Sequence, residues 1–270
     1  MKMIAFTKMV ASGNDFVVAQ AKASDSKLRK LARSICDRKF GAGADGLLVL
    51  EKSHKAVVKM RVFNADGSEA NMCGNGARCV ALFVKLELVH HNHKPRIETK
   101  AGIIESEVHG DNVKIRLTDP KQLKLEIPIK INQRLMHVNF INTGVPHAVV
   151  FVEGINKIDV KNLGRQIRFH KRFAPAGTNV NFVEVINGNS IKIRTYERGV
   201  EDETLACGTG STASALITSY MLRAPGPKLV FVHTKSGEAL KVYFREKNNR
   251  FEDVWLEGKA RIVYTGVYYV

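Results

Sequence analysis

Short apolar runs separated by turn-forming clusters dominate the chain, and three stretches depart from that rhythm at helical spacing. Residues 3–10 and 16–19 are apolar on either side of Ser12-Gly13-Asn14-Asp15, a hairpin pattern. Leu28, Leu31, Ala32 and Ile35 recur every three or four positions behind Asp25 or Ser26 as N-cap, which predicts a helix that stops before Phe40-Gly41. Strands are expected at 47–50 and 57–63. Residues 77–88 are apolar around most of a helical circumference, so this helix has to be buried on nearly all sides. Strands at 96–99, 103–108 and 113–117 are available to surround it. The second half repeats the plan: strands at 136–142, 148–152, 181–186 and 191–196, a short helix over 160–168, a helix over 211–222 ended by Ala224-Pro225-Gly226-Pro227, then strands at 228–233, 239–245, 254–256 and 260–264. The pattern predicts an α+β chain of two strand-rich halves, each with one buried helix.

The halves also share a local sequence. Phe63-Asn64-Ala65-Asp66-Gly67-Ser68-Glu69 leads to Cys73-Gly74-Asn75-Gly76, and Tyr196-Glu197-Arg198-Gly199-Val200-Glu201-Asp202-Glu203 leads to Cys207-Gly208-Thr209-Gly210. Aligned on the cysteines, Glu69 matches Glu203 and Ala81 matches Ala215, while Phe63 and Tyr196 correspond after a one-residue insertion. Each predicted buried helix begins directly after a Cys-Gly-x-Gly turn. Internal repetition of this kind favours two domains.

Composition narrows the chemistry. Four cysteines without a basic-then-apolar leader argue for free thiols in a cytoplasmic protein, and the Cys73/Cys79 spacing is not that of a zinc knuckle. No apolar run is long enough to span a bilayer. His90, His91 and His93 sit where the first buried helix should end, a place that favours protonated histidine over a metal site. Gly41-Ala42-Gly43-Ala44-Asp45-Gly46 fits GxGxxG, but it follows a helix and enters a strand, the reverse of a dinucleotide fingerprint. A loop rich in positive φ is the better reading. The net charge of +16 raises nucleic acid or an anionic substrate as partners. The basic residues are spread from Lys2 to Arg261 with no zinc finger, RRM or helix-turn-helix pattern, so a solvated basic surface is the preferred account.

A cysteine at a helix N-terminus faces unpaired N–H groups and the positive end of the helix dipole, which favours the thiolate. The same N–H groups bind carboxylate. Two such helix ends facing each other would hold one carboxylate with a thiol on each side of the adjacent carbon: one thiolate removes the α-proton and the opposite thiol returns one. This is a two-base racemase or epimerase, with no cofactor or metal demanded. Cys36, closing a helix, and Cys79, inside an apolar one, read as buried packing. A thiol hydrolase using His147 as base leaves the second cysteine unexplained, and a nucleic-acid-binding module on an epimerase-like fold leaves the whole site unexplained.

At these residues the chain resembles the diaminopimelate epimerases. Ser12-Gly13-Asn14-Asp15-Phe16, Gly43-Ala44-Asp45-Gly46, Phe63 to Ser68, Cys73-Gly74-Asn75-Gly76-Ala77-Arg78, Pro146-His147, Gly177-Thr178-Asn179, Glu197-Arg198-Gly199 and Ala206-Cys207-Gly208-Thr209-Gly210 fall in the family's order. The related proline racemases usually carry histidine where Asn75 stands, and lack the Glu197-Arg198 pair. The resemblance implies two pseudo-symmetric barrel-like domains, each around a central helix, with substrate in the cleft between them; the domains are drawn at 1–118 and 119–261, with a last strand at 262–270 returning to the first. It implies epimerisation of LL-2,6-diaminopimelate to the meso isomer for lysine and peptidoglycan synthesis, without cofactor, by a cytoplasmic homodimer that binds neither nucleic acid nor membrane. Cys73 and Cys207 would be the acid/base pair. Backbone N–H groups of Gly74, Asn75, Gly208 and Thr209 would hold the reacting carboxylate; Asn64, Asn179 and Arg198 would hold the distal amino acid end; Glu197 would receive an ammonium; Asn14 would complete the pocket, with His147 a neighbour that helps place charge. Two positions depart from the family pattern: Val145 where many members have asparagine, and Gly46 where some have glutamine.

Overall fold

The computed structural model describes residues 3–223, 228–248 and 250–270. Contacts divide it into two units, Met1–Ile115 with Gly258–Val270, and Arg116–Glu257.

In the first unit, β1 (Met3–Ala11) and β2 (Asn14–Gln20) form a hairpin closed by Ser12 and Gly13, both at positive φ. This is the backbone a two-residue loop requires to match strand twist. Helix α1 (Asp25–Cys36) then crosses to β3 (Gly46–Glu51), which pairs parallel to β2 and antiparallel to β4 (Val58–Asn64). The two-residue β5 (Glu69–Ala70) folds back on β4 and delivers the chain into α2 (Gly74–Phe83). After α2, β6 (Ile97–Thr99) pairs parallel to β4 and antiparallel to β7 (Gly102–Ile104), while β8 (Ser106–His109) and β9 (Asn112–Arg116) make a hairpin.

The second unit has the same plan. Its strands are β10 (Lys121–Ile131), β11 (Arg134–Asn142), β12 (Pro146–Phe151), β13 (Asn179–Asn187), β14 (Ser190–Glu197), β15 (Asp202–Thr204), β16 (Lys228–His233), β17 (Ala239–Lys247) and β18 (Arg250–Lys259), with α3 (Val160–Arg168) before β13 and α4 (Gly208–Leu222) after β15. Strand β19 (Arg261–Tyr269) returns to pair with β1. The strand order β1-β2-β3-β4-β6-β7, with β5 on β4, is repeated as β11-β12-β13-β14-β16-β17, with β15 on β14. Parallel and antiparallel steps match throughout. The fold is therefore the expected duplicated α+β plan, although neither strand path closes into a ring among the described residues.

Burial explains why α2 and α4 sit inside. Every residue of α2 from Asn75 to Phe83 is buried, and so is α4 from Gly210 to Ser219. The amphipathic α1 and α3 cover the opposite sheet faces and bury Leu28, Leu31 and Ile35, or Val160 and Ile167. Each such aliphatic side chain contributes about 1.5–3 kcal/mol relative to exposure.

Several local expectations need correction. The first buried helix starts at Gly74 and ends at Phe83; a π-helical turn, Val84–Leu88, follows, and Leu86, Leu88 and Val89 are exposed. Strand β10 had no counterpart in the sequence reading. Its alternation is interrupted by bulges at residues with positive φ, Gln122 and Glu126, and Pro128 is tolerated because β10 begins the strand path. Ser24 occupies the N-cap of α1 without a side-chain bond to the helix backbone, while Asp25 turns to Arg61. In the 41–46 loop only Gly43 has positive φ. Gly41 is required for space, since a Cβ there would lie 2.3 Å from the Ser34 carbonyl oxygen. The Ala224-Pro225-Gly226-Pro227 stop lies outside the described residues.

Gly164 of α3 packs against Tyr196, where an added Cβ would sit 2.6 Å from the Tyr196 Cβ. Gly164→Ala is expected to lower stability by about 1–3 kcal/mol in urea unfolding despite its gain in helix propensity; an unchanged or higher midpoint would contradict this packing.

Candidate active site

Each repeated cysteine is the N-cap residue of its buried helix. Cys73 has extended backbone (φ −140°, ψ 119°), and its Sγ accepts the Gly76 N–H at 3.4 Å. Cys207 has nearly the same backbone (φ −118°, ψ 112°), but its Sγ lies 3.5 Å from the Thr209 hydroxyl. The glycines behind them serve two purposes. At Gly76 and Gly210 a Cβ would meet the Leu48 side chain at 3.0 Å and the Asn181 Oδ1 at 2.3 Å, so these glycines allow close packing beneath the helix. At Gly74 a Cβ would find nothing nearer than Ile115 at 3.7 Å, leaving the first turn uncovered for an incoming anion.

Around Cys73 the first unit gathers Asn14, Asn75 and Arg78. Asn75 donates to the Asn14 Oδ1 at 3.5 Å, and Asn14 donates to the Asp45 Oδ2 at 2.7 Å. Beneath them the fully buried Arg78 donates to the Asn75 Oδ1 at 2.7 Å and to the Ser12 hydroxyl at 2.9 Å, which fixes the Asn75 amide orientation. Asn64 stands apart at the end of β4 and donates to the Ser68 hydroxyl. Gly46 faces Asn64 across the ladder, and a Cβ there would lie 2.9 Å from the Phe63 carbonyl oxygen.

Around Cys207 the second unit gathers more. Thr209 Oγ1 is 3.0 Å from His147 Nε2, and His147 Nδ1 is 3.1 Å from Asn181 Nδ2. The polarity of this chain follows from its far end. The Asn181 amide nitrogen also donates to the Ala148 carbonyl at 3.1 Å, and its oxygen accepts the Thr195 hydroxyl at 3.0 Å. Asn181 therefore donates to Nδ1, the imidazole proton lies on Nε2 and is given to Thr209, and the Thr209 hydroxyl is free to donate toward Cys207. On its other side Cys207 hydrogen-bonds the Glu197 carboxylate, which also accepts the Thr204 hydroxyl at 2.6 Å. Burial raises the Glu197 pKa, and those two bonds only partly offset it. Asn179 accepts the Arg198 backbone N–H at 2.8 Å and donates to the Pro146 carbonyl, while the Arg198 guanidinium donates to the Ala176 carbonyl. Val145 contributes its carbonyl to the Thr143 N–H.

The remaining thiols are unlike these two. Burial pushes Cys36 up to about 12, and Cys79 is also raised by burial. Among the described residues no group of three or more potential metal ligands is found. Sequence reasoning missed Asn181, Thr195, Arg78 and Ser12. Ser12 and Arg78 stood inside matched motifs without a role, and Asn181 follows Asn179-Val180, where pattern alone does not separate it from a strand residue.

The diaminopimelate epimerase family model matches residues 6–123 and 139–263. The chain belongs to the diaminopimelate epimerase family. It is 44% identical to the diaminopimelate epimerase of Aquifex aeolicus over 97% of this chain and 96% of that protein. It is 41% identical to that of Caldanaerobacter subterraneus subsp. tengcongensis, over 97% and 98% respectively. In fold it is similar to a phenazine biosynthesis protein of the PhzF family from Bacillus anthracis, with a TM-score of 0.79 at 17% identity over the full length of both chains.

Burial, followed by the Arg198 charge, holds His147 down from the usual 6.5 to about 3. The imidazole is neutral when folded but binds a proton below about pH 6.5 when unfolded, so the stability it contributes is complete above that pH and is lost as pH falls toward 3. His147→Gln should reduce the stability difference between about pH 7.5 and about pH 4.5 measured by urea unfolding; an unaltered difference would contradict a neutral buried imidazole.

Proposed function

We propose that this chain epimerises LL-2,6-diaminopimelate to meso-diaminopimelate without a cofactor, with Cys73 and Cys207 as thiolate base and thiol acid on opposite faces of one α-carbon. The observation that carries the reading is the pair of matched helix N-caps, each holding a thiol at the start of a buried helix, in a chain whose close relatives bear that name.

The α-proton of an amino acid is a weak acid, and the helix N-termini supply what its removal needs. The N–H groups of Gly74, Asn75, Gly208 and Thr209 would hold the reacting carboxylate and stabilise the charge that grows on it in the transition state. A residue that alternates between base and acid needs partners for both states. At Cys207 the Thr209 hydroxyl donates to the thiolate, and the Glu197 carboxylate accepts from the thiol. At Cys73 the Gly76 N–H serves the thiolate. His147, neutral and oriented by Asn181, keeps the Thr209 proton directed at sulfur and adds no charge to compete with the substrate. Arg198, Asn179 and Asn64 would bind the distal carboxylate end, where a guanidinium suits bidentate contact. Glu197 would receive an ammonium and Asn14 would complete the pocket.

Reduced protein incubated in deuterated water with LL-diaminopimelate should form the meso isomer carrying α-deuterium. Cys73→Ala and Cys207→Ala should each lower epimerisation by roughly 10²- to 10⁴-fold while keeping the fold. An alanine variant of normal activity would remove the two-base mechanism, and exchange with proline but not diaminopimelate would reassign the substrate.

The family resemblance further supports a homodimer working in the cytoplasm. Strand β19 leaves Val263, Val267 and Tyr269 exposed beside a free sheet edge, a surface suited to a second copy. Sedimentation equilibrium should give twice the chain mass of 30.0 kDa; a monomer at micromolar concentration would overturn this assembly.

A further inference from the structure

The duplication extends to a charged cluster ahead of each cysteine. Glu69 of β5 lies four residues before Cys73, and Glu203 of β15 lies four residues before Cys207. Glu69 accepts two hydrogen bonds from Arg61 of β4, Nε at 2.8 Å and Nη2 at 3.0 Å, and pairs with Lys100 Nζ at 2.7 Å. Glu203 accepts two from Arg194 of β14, Nε at 2.7 Å and Nη2 at 2.9 Å, and pairs with Lys235 Nζ at 2.8 Å. The carboxylates are shielded, with side-chain exposures of 2% and 11%. The ladders place the clusters equivalently: Glu69 is opposite Phe63, two residues beyond Arg61, and Glu203 is opposite Tyr196, two residues beyond Arg194.

Each carboxylate thus ties together three parts of its unit: the strand before the cysteine-bearing helix, the short strand that feeds it, and the turn that follows the next strand. The feeding strands need such a tie. Strand β5 has two residues and β15 three, too few ladder bonds to fix the chain against water. Bidentate Arg–carboxylate pairs fix direction as well as distance. The outer helices hold the hairpin tips too. Arg29 and Arg33 of α1 donate to the carbonyls of Gly67 and Asp66, and Lys161 and Arg168 of α3 pair with Asp202 and Glu201. Arg61 continues to Asp25 at the start of α1, and Arg194 to the carbonyls of Ile155 and Ile158 ahead of α3.

We propose that Arg61–Glu69–Lys100 and Arg194–Glu203–Lys235 are paired positioning clamps, each setting the aim of one cysteine's thiol and thereby the proton transfer on one face of the substrate. This rests on the two-base reading above. The six residues act through the turns they hold and do not touch the reacting atoms.

The test compares Glu69→Gln with Glu203→Gln, alongside the milder Lys100→Met and Lys235→Met, whose cations are 44% and 46% exposed and whose loss leaves the Arg–Glu pair in place. In deuterated water, starting from LL- and separately from meso-diaminopimelate, the readout is deuterium entering recovered substrate relative to inversion. A misaimed donor lets the carbanion return to its starting face. Glu69→Gln should therefore raise that ratio from one isomer and Glu203→Gln from the other, with kcat lowered roughly 10- to 100-fold in each. Mapping the iodoacetamide reaction by mass spectrometry provides a readout independent of substrate: Glu69→Gln and Lys100→Met should change the Cys73 rate several-fold and leave Cys207 unchanged, and Glu203→Gln and Lys235→Met the reverse. Equal changes at both cysteines, or none in the folded lysine variants, would overturn the clamps. A wild type that fails to epimerise diaminopimelate would remove the two-base reading, and the alkylation pattern would still decide the clamps.

Discussion

A helix enclosed by its own sheet has only its ends to offer. In both units the strands cover α2 and α4 so fully that chemistry can be presented only at the first turn, and both helices begin with a cysteine followed by glycine. The unpaired N–H groups of that turn have no intrahelical partner, so they remain available to an anion. The thiols therefore stand against oriented dipoles, whereas Cys36 and Cys79, held among apolar side chains, are driven toward the neutral form.

Nearly equal backbone at the two N-caps does not give the two thiols identical neighbours. Cys73 receives a backbone N–H, and two residues further on Asn75 is oriented by a buried guanidinium. Cys207 sits between a hydroxyl backed by a neutral imidazole and a buried carboxylate. The duplicated frame fixes where each sulfur stands, and the residues that differ between the halves set what surrounds it. Arg78 corresponds by position to Thr212, which bonds back to the Gly208 carbonyl, so the asymmetry reaches into the helices themselves.

Much of this was legible in the sequence because it depends on local pattern. The mostly apolar 77–88 stretch announced a buried helix, the repeated Cys-Gly-x-Gly announced two equivalent turns, and Gly and Pro marked most strand boundaries. What escaped notice depends on register. Strand β10 alternates irregularly around two bulges. The role of Asn181 arises only when β12 and β13 run parallel and bring its amide beside His147. The match of Glu69 to Glu203 was visible, but their partners Arg61 and Arg194, or Lys100 and Lys235, come from strands whose pairing no local spacing predicts. The repeat shows Gly76 and Gly210 as equivalent, but their necessity comes from packing against Leu48 and Asn181, which only the folded strands bring near.

The return of β19 to β1 has a consequence for the order of assembly. The second unit is continuous in sequence, so its sheet can form as soon as its own residues leave the ribosome. The first unit cannot: β1 waits with one edge bare until β19 is synthesised, some 250 residues later, and then gains a ladder from Met3–Tyr269 to Val10–Arg261. A nascent chain of this protein carries an unsatisfied strand edge through most of its translation, an exposure of the kind chaperones shield.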